Sequence, residues 1–166
     1  AGWWQASIPG ATRHSWKPWA MTPDVNVLVA AARSDHPRHA VARAWLEDTL
    51  AGAESGTVCT LMPMVLASFL RLVTSPKIFK RPTPIDEAIG FIDALLTLPG
   101  VQLAELGPEW KRLRTLCLDK KLSGNDLPDS WLVAAIARHG EHLISFDRDF
   151  RRLLGRGQFT LLVGGA

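Results

Sequence analysis

Five short apolar runs, each separated from the next by segments of helical periodicity, constrain this chain more than any other feature. The runs are "MTPDV" from Met21, "GTVCT" from Gly56, "VQLAEL" from Val101, "HLISF" from His142 and "FTLLV" from Phe159. Each has the length of a strand and none has the length of a helix. Between them lie "NVLVAAARS", with Asn26 as the expected cap, and "RHAVARAWLEDTL", where Pro37 suits a first turn and Val41, Ala44, Trp45 and Leu50 form one stripe. "LMPMVLASFLRLVTSP", "TPIDEAIGFIDALLTLPG", "GPEWKRLRTLCLDKKL" and "PDSWLVAAIARHG" read as further helices, and "DRDFRRLLG" as a short one. Such alternation predicts an α/β fold: a three-layer sandwich with a mainly parallel central sheet of about five strands and helices on both faces. Pro23 lacks a donor, so it marks an edge or a strand end.

The chain of 166 residues is long enough for one domain with a proper core, and its 47% apolar and 21% charged residues are ordinary for a globular protein. No apolar run reaches the roughly 20 residues that cross a bilayer. Cys59 and Cys117 lie far apart in apolar company, which reads as two buried thiols in a reducing cytoplasm rather than a disulfide or metal framework. The net charge of +3 neither requires nor repels a polyanion. Residues 1–20 stand apart from the rest: they carry four of the seven tryptophans and no acid. Met21 is the expected start of a single domain running to Ala166, with residues 1–20 as an extension.

Two of the runs end on carboxylates. Asp24 closes the first, Asp147 closes the fourth, and Asp129 opens the helix before the fourth, after the turn "SGNDLPD". In open α/β sheets, sites form beyond the carboxyl ends of the strands. Three acids far apart in sequence are therefore expected at one rim. Crowded carboxylates repel unless a cation lies between them, and hard oxygen donors suit Mg²⁺ or Mn²⁺. Such an ion activates a water and steadies the leaving oxygen in phosphodiester hydrolysis. Each acid also has a plainer reading: Asp147, Asp126 and Asp129 are all placed to cap helices, and Asp149 to complement a helix dipole. No phosphate-loop, dinucleotide or HExxH pattern competes, and no DxDxT motif supports an aspartyl-phosphate enzyme.

"PDVNVLVAAA", "SFLRLVTSPKIF", "GNDLPDSWLVAAIARHG" and "HLISFDRDF" together resemble the PIN domain, and specifically the VapC-type toxins of bacterial toxin–antitoxin pairs. The resemblance runs over about residues 21–162. It implies a magnesium-dependent endoribonuclease of the cytoplasm, a homodimer, and a VapB-type antitoxin whose helix lies in a groove between the early helices. "HAVARAWLEDTL" and "MVLASFLRLV" carry apolar stripes suited to such a groove, which suit an ordinary core equally well. It also implies that Asp24, Asp129 and Asp147 are catalytic and hold the metal with Asp126, supported by Asn26, Ser145 and Ser68. The family usually carries a glutamate where this chain has Ser68. Asp126, at i, i+3 from Asp129, is expected to compensate; a catalytically weak or silent PIN domain that binds RNA or protein is the alternative. Arg71, Lys77, Lys80 and Arg81 are the expected RNA-backbone contacts. His36, His39, His139 and His142 are expected at the surface or as caps.

Overall fold

The computed structural model describes residues 20–163 apart from 106, 108, 123–125 and 156. Five parallel strands form one sheet in the order β3-β2-β1-β4-β5. They are β1 Ala20–Pro23, β2 Val58–Leu61, β3 Val101–Leu103, β4 His142–Ser145 and β5 Phe159–Leu161. The helices are α1 Val25–Ala32, α2 His39–Ala51, α3 Pro63–Val73, α4 Ile85–Leu96, α5 Trp110–Lys120 and α6 Asp126–His139. Short 3₁₀ helices cover Gly52–Ser55 and Arg148–Arg152. Every strand is parallel to its neighbours, so every connection must cross over, which is why helices fill the intervals between strands.

β1 lies in the middle of the sheet, paired with β2 on one side and β4 on the other. Pro23 is therefore at a strand end and not at an edge, opposite Ile144. The central position of β1 explains the apolar composition of the helix that leaves it. In α1, Val27, Leu28, Val29, Ala30 and Ala31 are all buried, so the helix is enclosed on nearly every side. In α6 the run from Leu132 to Ile136 is buried in the same way. The core closes between them and α3, where Val65, Phe69 and Val73 recur at helical spacing and Phe69 meets Phe91 of α4 at 5.6 Å between ring centroids.

Four sequence expectations change. α2 begins at His39 with Arg38 as its cap, so Pro37 precedes the helix and is not in its first turn. α1 begins at Val25 and its cap is Asp24, not Asn26. Asn26 is already helical, because Asp24 has extended backbone and offers its carboxylate to the Val25 N–H first. α6 begins at Asp126, so Asp129 lies in its first turn rather than at its opening residue. Of the two thiols, Cys59 is buried and its thiol is pushed up to about 12 by desolvation, whereas Cys117 is half-exposed. The first strand takes in Ala20; the other residues of the expected extension, and the turn at 123–125, lie outside the described residues.

Candidate active site

Asp24 directly follows β1 and Ser145 ends β4, and these strands are neighbours. The pairing sets their side chains against each other at the carboxyl rim of the sheet. Asp24 accepts from the Val25 N–H at 2.6 Å on one oxygen, and from Asn26 Nδ2 and Ser145 Oγ, both at 2.7 Å, on the other. Asn26 also accepts from the Phe146 N–H at 3.1 Å, and the Asp147 N–H donates to Ser145 Oγ at 2.9 Å. The network thus runs from α1 across β4 into the segment that carries Asp147. Asp147 has extended backbone and caps the Arg148–Arg152 turn, accepting from the Asp149 N–H at 2.8 Å. The capping role and the placement at the rim hold together: one oxygen serves the backbone.

Asp129 approaches from α6. Burial pushes its carboxyl above the ordinary carboxylate value, and repulsion from Asp147, Asp126 and Asp149 adds to this. Asp24 is only 5% exposed, and desolvation lifts it from 3.8 to about 6. The bonds from Ser145 and Val25 oppose that rise; the charges of Asp129 and Asp147 reinforce it. Asp24, Asp129 and Asp147 therefore share one electrostatic neighbourhood, as their positions at strand and helix ends predict. Asp129 and Asp147 both raise Asp24, and Asp147 raises Asp129, a crowding of negative charge that a cation relieves.

The donor set fits a hard divalent cation in charge and in kind: the side chains at the rim are carboxylate, hydroxyl and carboxamide, and no thiol is among them. They do not close on one point, however. Among the described residues, no three His, Cys, Asp or Glu side chains are gathered tightly enough to enclose an ion. Magnesium keeps several waters and tolerates such an open set better than a metal needing a full protein cage.

The remaining expected residues are scattered. Ser68 is half-buried on α3. Arg71, Lys77, Lys80 and Arg81 are exposed in and after α3. The loop that carries the last three is tied to Arg33, the C-cap of α1, which donates to Thr83 Oγ1 and to the Arg81 carbonyl and lies 3.9 Å over the Phe79 ring. It therefore attaches at the end of α1 opposite Asp24, about 12 Å along an eight-residue helix. Two of the histidines serve the structure, His39 contacting the Ala30 carbonyl and His142 joining β4 to Gly157 and Thr160, while His139 is exposed. Two basic residues beside the rim have no local signal in the sequence. Arg152 lies 3.6 Å from Asp126 and 3.9 Å from Asp149, and Arg38 lies 4.8 Å over the ring of Phe146.

The PIN domain family model matches residues 21–154. The chain belongs to the PIN domain family. Among curated relatives, Ribonuclease VapC31 and Ribonuclease VapC25 of Mycobacterium tuberculosis (strain ATCC 25618 / H37Rv) are each 42% identical over 130 residues. That is 78% of this chain and 89% of each relative. Ribonuclease VapC48 of the same organism is 38% identical over 136 residues, 81% of this chain and 92% of its own. Two solved structures share the PIN fold. VapBC2 from Rickettsia felis, bound to a promoter DNA fragment, has a TM-score of 0.57 at 18% identity, covering 85% of this chain and 96% of that one. M. tuberculosis VapC20, a sarcin–ricin loop cleaving toxin, has a TM-score of 0.56 at 15% identity, covering 80% and 94%. Within the span of this PIN domain lie Asp24, Asp129 and Asp147, the three acids the sequence marks at strand and helix ends.

Proposed function

We propose that the protein is a VapC-type endoribonuclease, the toxin of a toxin–antitoxin pair, hydrolysing RNA at the rim formed by Asp24, Asp129 and Asp147 with Mg²⁺ or Mn²⁺. The single observation that carries the metal-dependent reading is the coupling of these carboxylates: Asp24 is buried, lifted to about 6, and repelled by the other two. Burial and repulsion make the charged form of such a rim costly, and a cation in it offsets that cost.

Asp24, Asp129 and Asp147 would hold the ion, with Asp126 assisting from one turn earlier on α6. When bound, the cation lowers the pKa of a water and offsets charge developing on the phosphate. The residues of the chain orient. Ser145 and Asn26 fix one oxygen of Asp24, and the Val25 N–H fixes the other, so the carboxylate cannot turn away. Ser145 Oγ also holds the backbone of Asp147 in place. Lys77, Lys80, Arg81 and Arg71 would meet the RNA backbone away from the point of cleavage. A VapB-type antitoxin would lie along the partly buried apolar residues of α2 and α3, among them Val41, Trp45, Leu66 and Leu70. The toxin would act as a homodimer in the cytoplasm.

Cleavage of total RNA in Mg²⁺, comparing the wild type with Asp24→Asn and Asp147→Asn, tests the reading. Loss of at least about 100-fold in either variant is expected, the scale on which removal of one charged catalytic group acts. Equal cleavage by all three proteins ends it. The open spacing of the acids favours one competing reading, a PIN domain that binds RNA without cutting it. In that case Mg²⁺ leaves the melting temperature unchanged and RNA binds equally well in EDTA.

A further inference from the structure

The acidic rim has a gradient of exposure. Asp24 lies at its base, Asp126 is 43% exposed and Asp149 is 72% exposed. Arg152 occupies the outer end. Its Nη2 stands 3.6 Å from Asp126 Oδ1 and 3.9 Å from Asp149 Oδ2, close enough for attraction and too far for a good hydrogen bond to either. Asp126 is one helical turn before Asp129, and Asp149 is two residues after Asp147. The guanidinium therefore bridges the two segments that carry those acids. It is itself 59% exposed, so these pairs are weak and separate easily.

From this placement we propose that Arg152 is the residue that grips an RNA phosphate at the mouth of the site, parked between Asp126 and Asp149 in the free protein. A polyanion approaching a cluster of aspartates needs positive charge beside the point of cleavage. Lys77, Lys80 and Arg81 attach at the far end of α1. Among the described residues, the ion pairs at the rim are all made by Arg152. A guanidinium presents paired N–H groups that match two phosphate oxygens, and it exchanges a loosely held carboxylate for a phosphate at little cost. The proposal rests on the ribonuclease reading above, and deepens it by naming a substrate contact.

The experiment uses Asp147→Asn as a non-cleaving background and a fluorescein-labelled single-stranded RNA of about 12 nucleotides, within the span such surfaces cover. Binding is followed by anisotropy across a KCl series in Mg²⁺. Adding Arg152→Gln should weaken binding about five- to tenfold and flatten the log–log salt dependence by about 0.7, one phosphate contact on a single strand. Arg152→Lys should recover most of the slope and part of the affinity, because it keeps the charge and loses the fork. Arg43→Gln, which removes the same charge from the exposed Arg43–Glu47 pair on α2, should leave the slope unchanged. In the cleaving protein, Arg152→Gln should raise KM more than it lowers kcat. A salt slope equal to that of the Arg43 control, or a fall in melting temperature large enough to account for the lost binding, overturns the proposal. If the Asp147→Asn background binds no RNA and the wild type cleaves none, the ribonuclease reading fails and the proposal with it. Firm background binding that Arg152→Gln leaves unchanged sinks the proposal alone.

Discussion

Asp24 has two duties that conflict. It caps α1 with one oxygen and lies at the base of a crowd of negative charge. Its carboxyl titrates near 6 in the folded protein and at its ordinary 3.8 unfolded. The folded state thus holds the proton more tightly between those values. Its contribution to stability is complete below about pH 4 and is lost as pH rises through 6, by on the order of 3 kcal/mol. His142 acts in the opposite sense: burial lowers its pKa, so its contribution is lost as pH falls below 6.5. A divalent ion should remove the acid's penalty. We predict that Mg²⁺ stabilises the protein against urea clearly more at pH 7.5 than at pH 5, where Asp24 is largely protonated. Equal stabilisation at both values would show that Asp24 is not a ligand. This acid was visible in the sequence because it ends an apolar run. The pairing of Arg152 with Asp126 was not, since the two lie far apart along the chain and no local pattern announces an ion pair made by folding.

At the level of elements, the alternation of short apolar runs with amphipathic segments was enough to give a parallel sheet, because each parallel pairing requires a crossover. The joints were less legible. Asn26 is a good capping residue, and nothing in the sequence says that Asp24, two positions earlier, has taken the cap; only the pairing of β1 with β4 frees Asn26 to bridge Asp24 and Phe146. Two other joints each depend on a single residue. Gly100 has φ +75, and a Cβ there would lie 2.7 Å from Ala53 Cβ and 2.9 Å from the Thr57 carbonyl. Its carbonyl receives the Cys59 N–H at 2.7 Å, where β2 begins to pair with β3. Gly100→Ala should therefore destabilise by more than about 1 kcal/mol in urea denaturation, combining strain with displacement of that edge. Arg33 is buried and holds Asp35, Thr83, the Arg81 carbonyl and the Phe79 ring together. Arg33→Ala should release the loop, and trypsin should cut at Lys77, Lys80 or Arg81 several-fold faster than in the wild type; an unchanged rate would mean that the loop is held by other contacts.

Across the whole molecule, the two ends of β4 have different surroundings. Beyond its carboxyl end stands Asp147, exposed at the acidic rim. Before its amino end stands Glu141, only 4% exposed. Glu141 accepts from Thr60 of β2 at 2.9 Å and makes a long contact of 3.5 Å with Thr22 of β1, while Gln102 of β3 donates to Thr60 at 3.0 Å. One buried carboxylate just before β4 thereby links β1 and β2 and, through Thr60, the exposed Gln102 of β3. Such a chain is worth keeping only when every member is satisfied, and removing its anchor strands the rest. Glu141→Ala should lower stability by about 2–4 kcal/mol, the scale of breaking a buried polar network. Glu141→Gln, which preserves the acceptor toward Thr60, should lose less. The folded fraction of either variant should keep its specific RNA-cleaving activity, because the chain of bonds ends on strand interiors away from the Asp24–Ser145 contact. Asp147→Asn should do the reverse, abolishing cleavage while leaving the melting curve within about 1 kcal/mol of the wild type, as expected for an exposed side chain. If Glu141→Ala lost activity in proportion beyond its loss of folded protein, the separation of a structural pole from a catalytic pole along β4 would be wrong, and the buried chain would have to be counted as part of what positions Asp24.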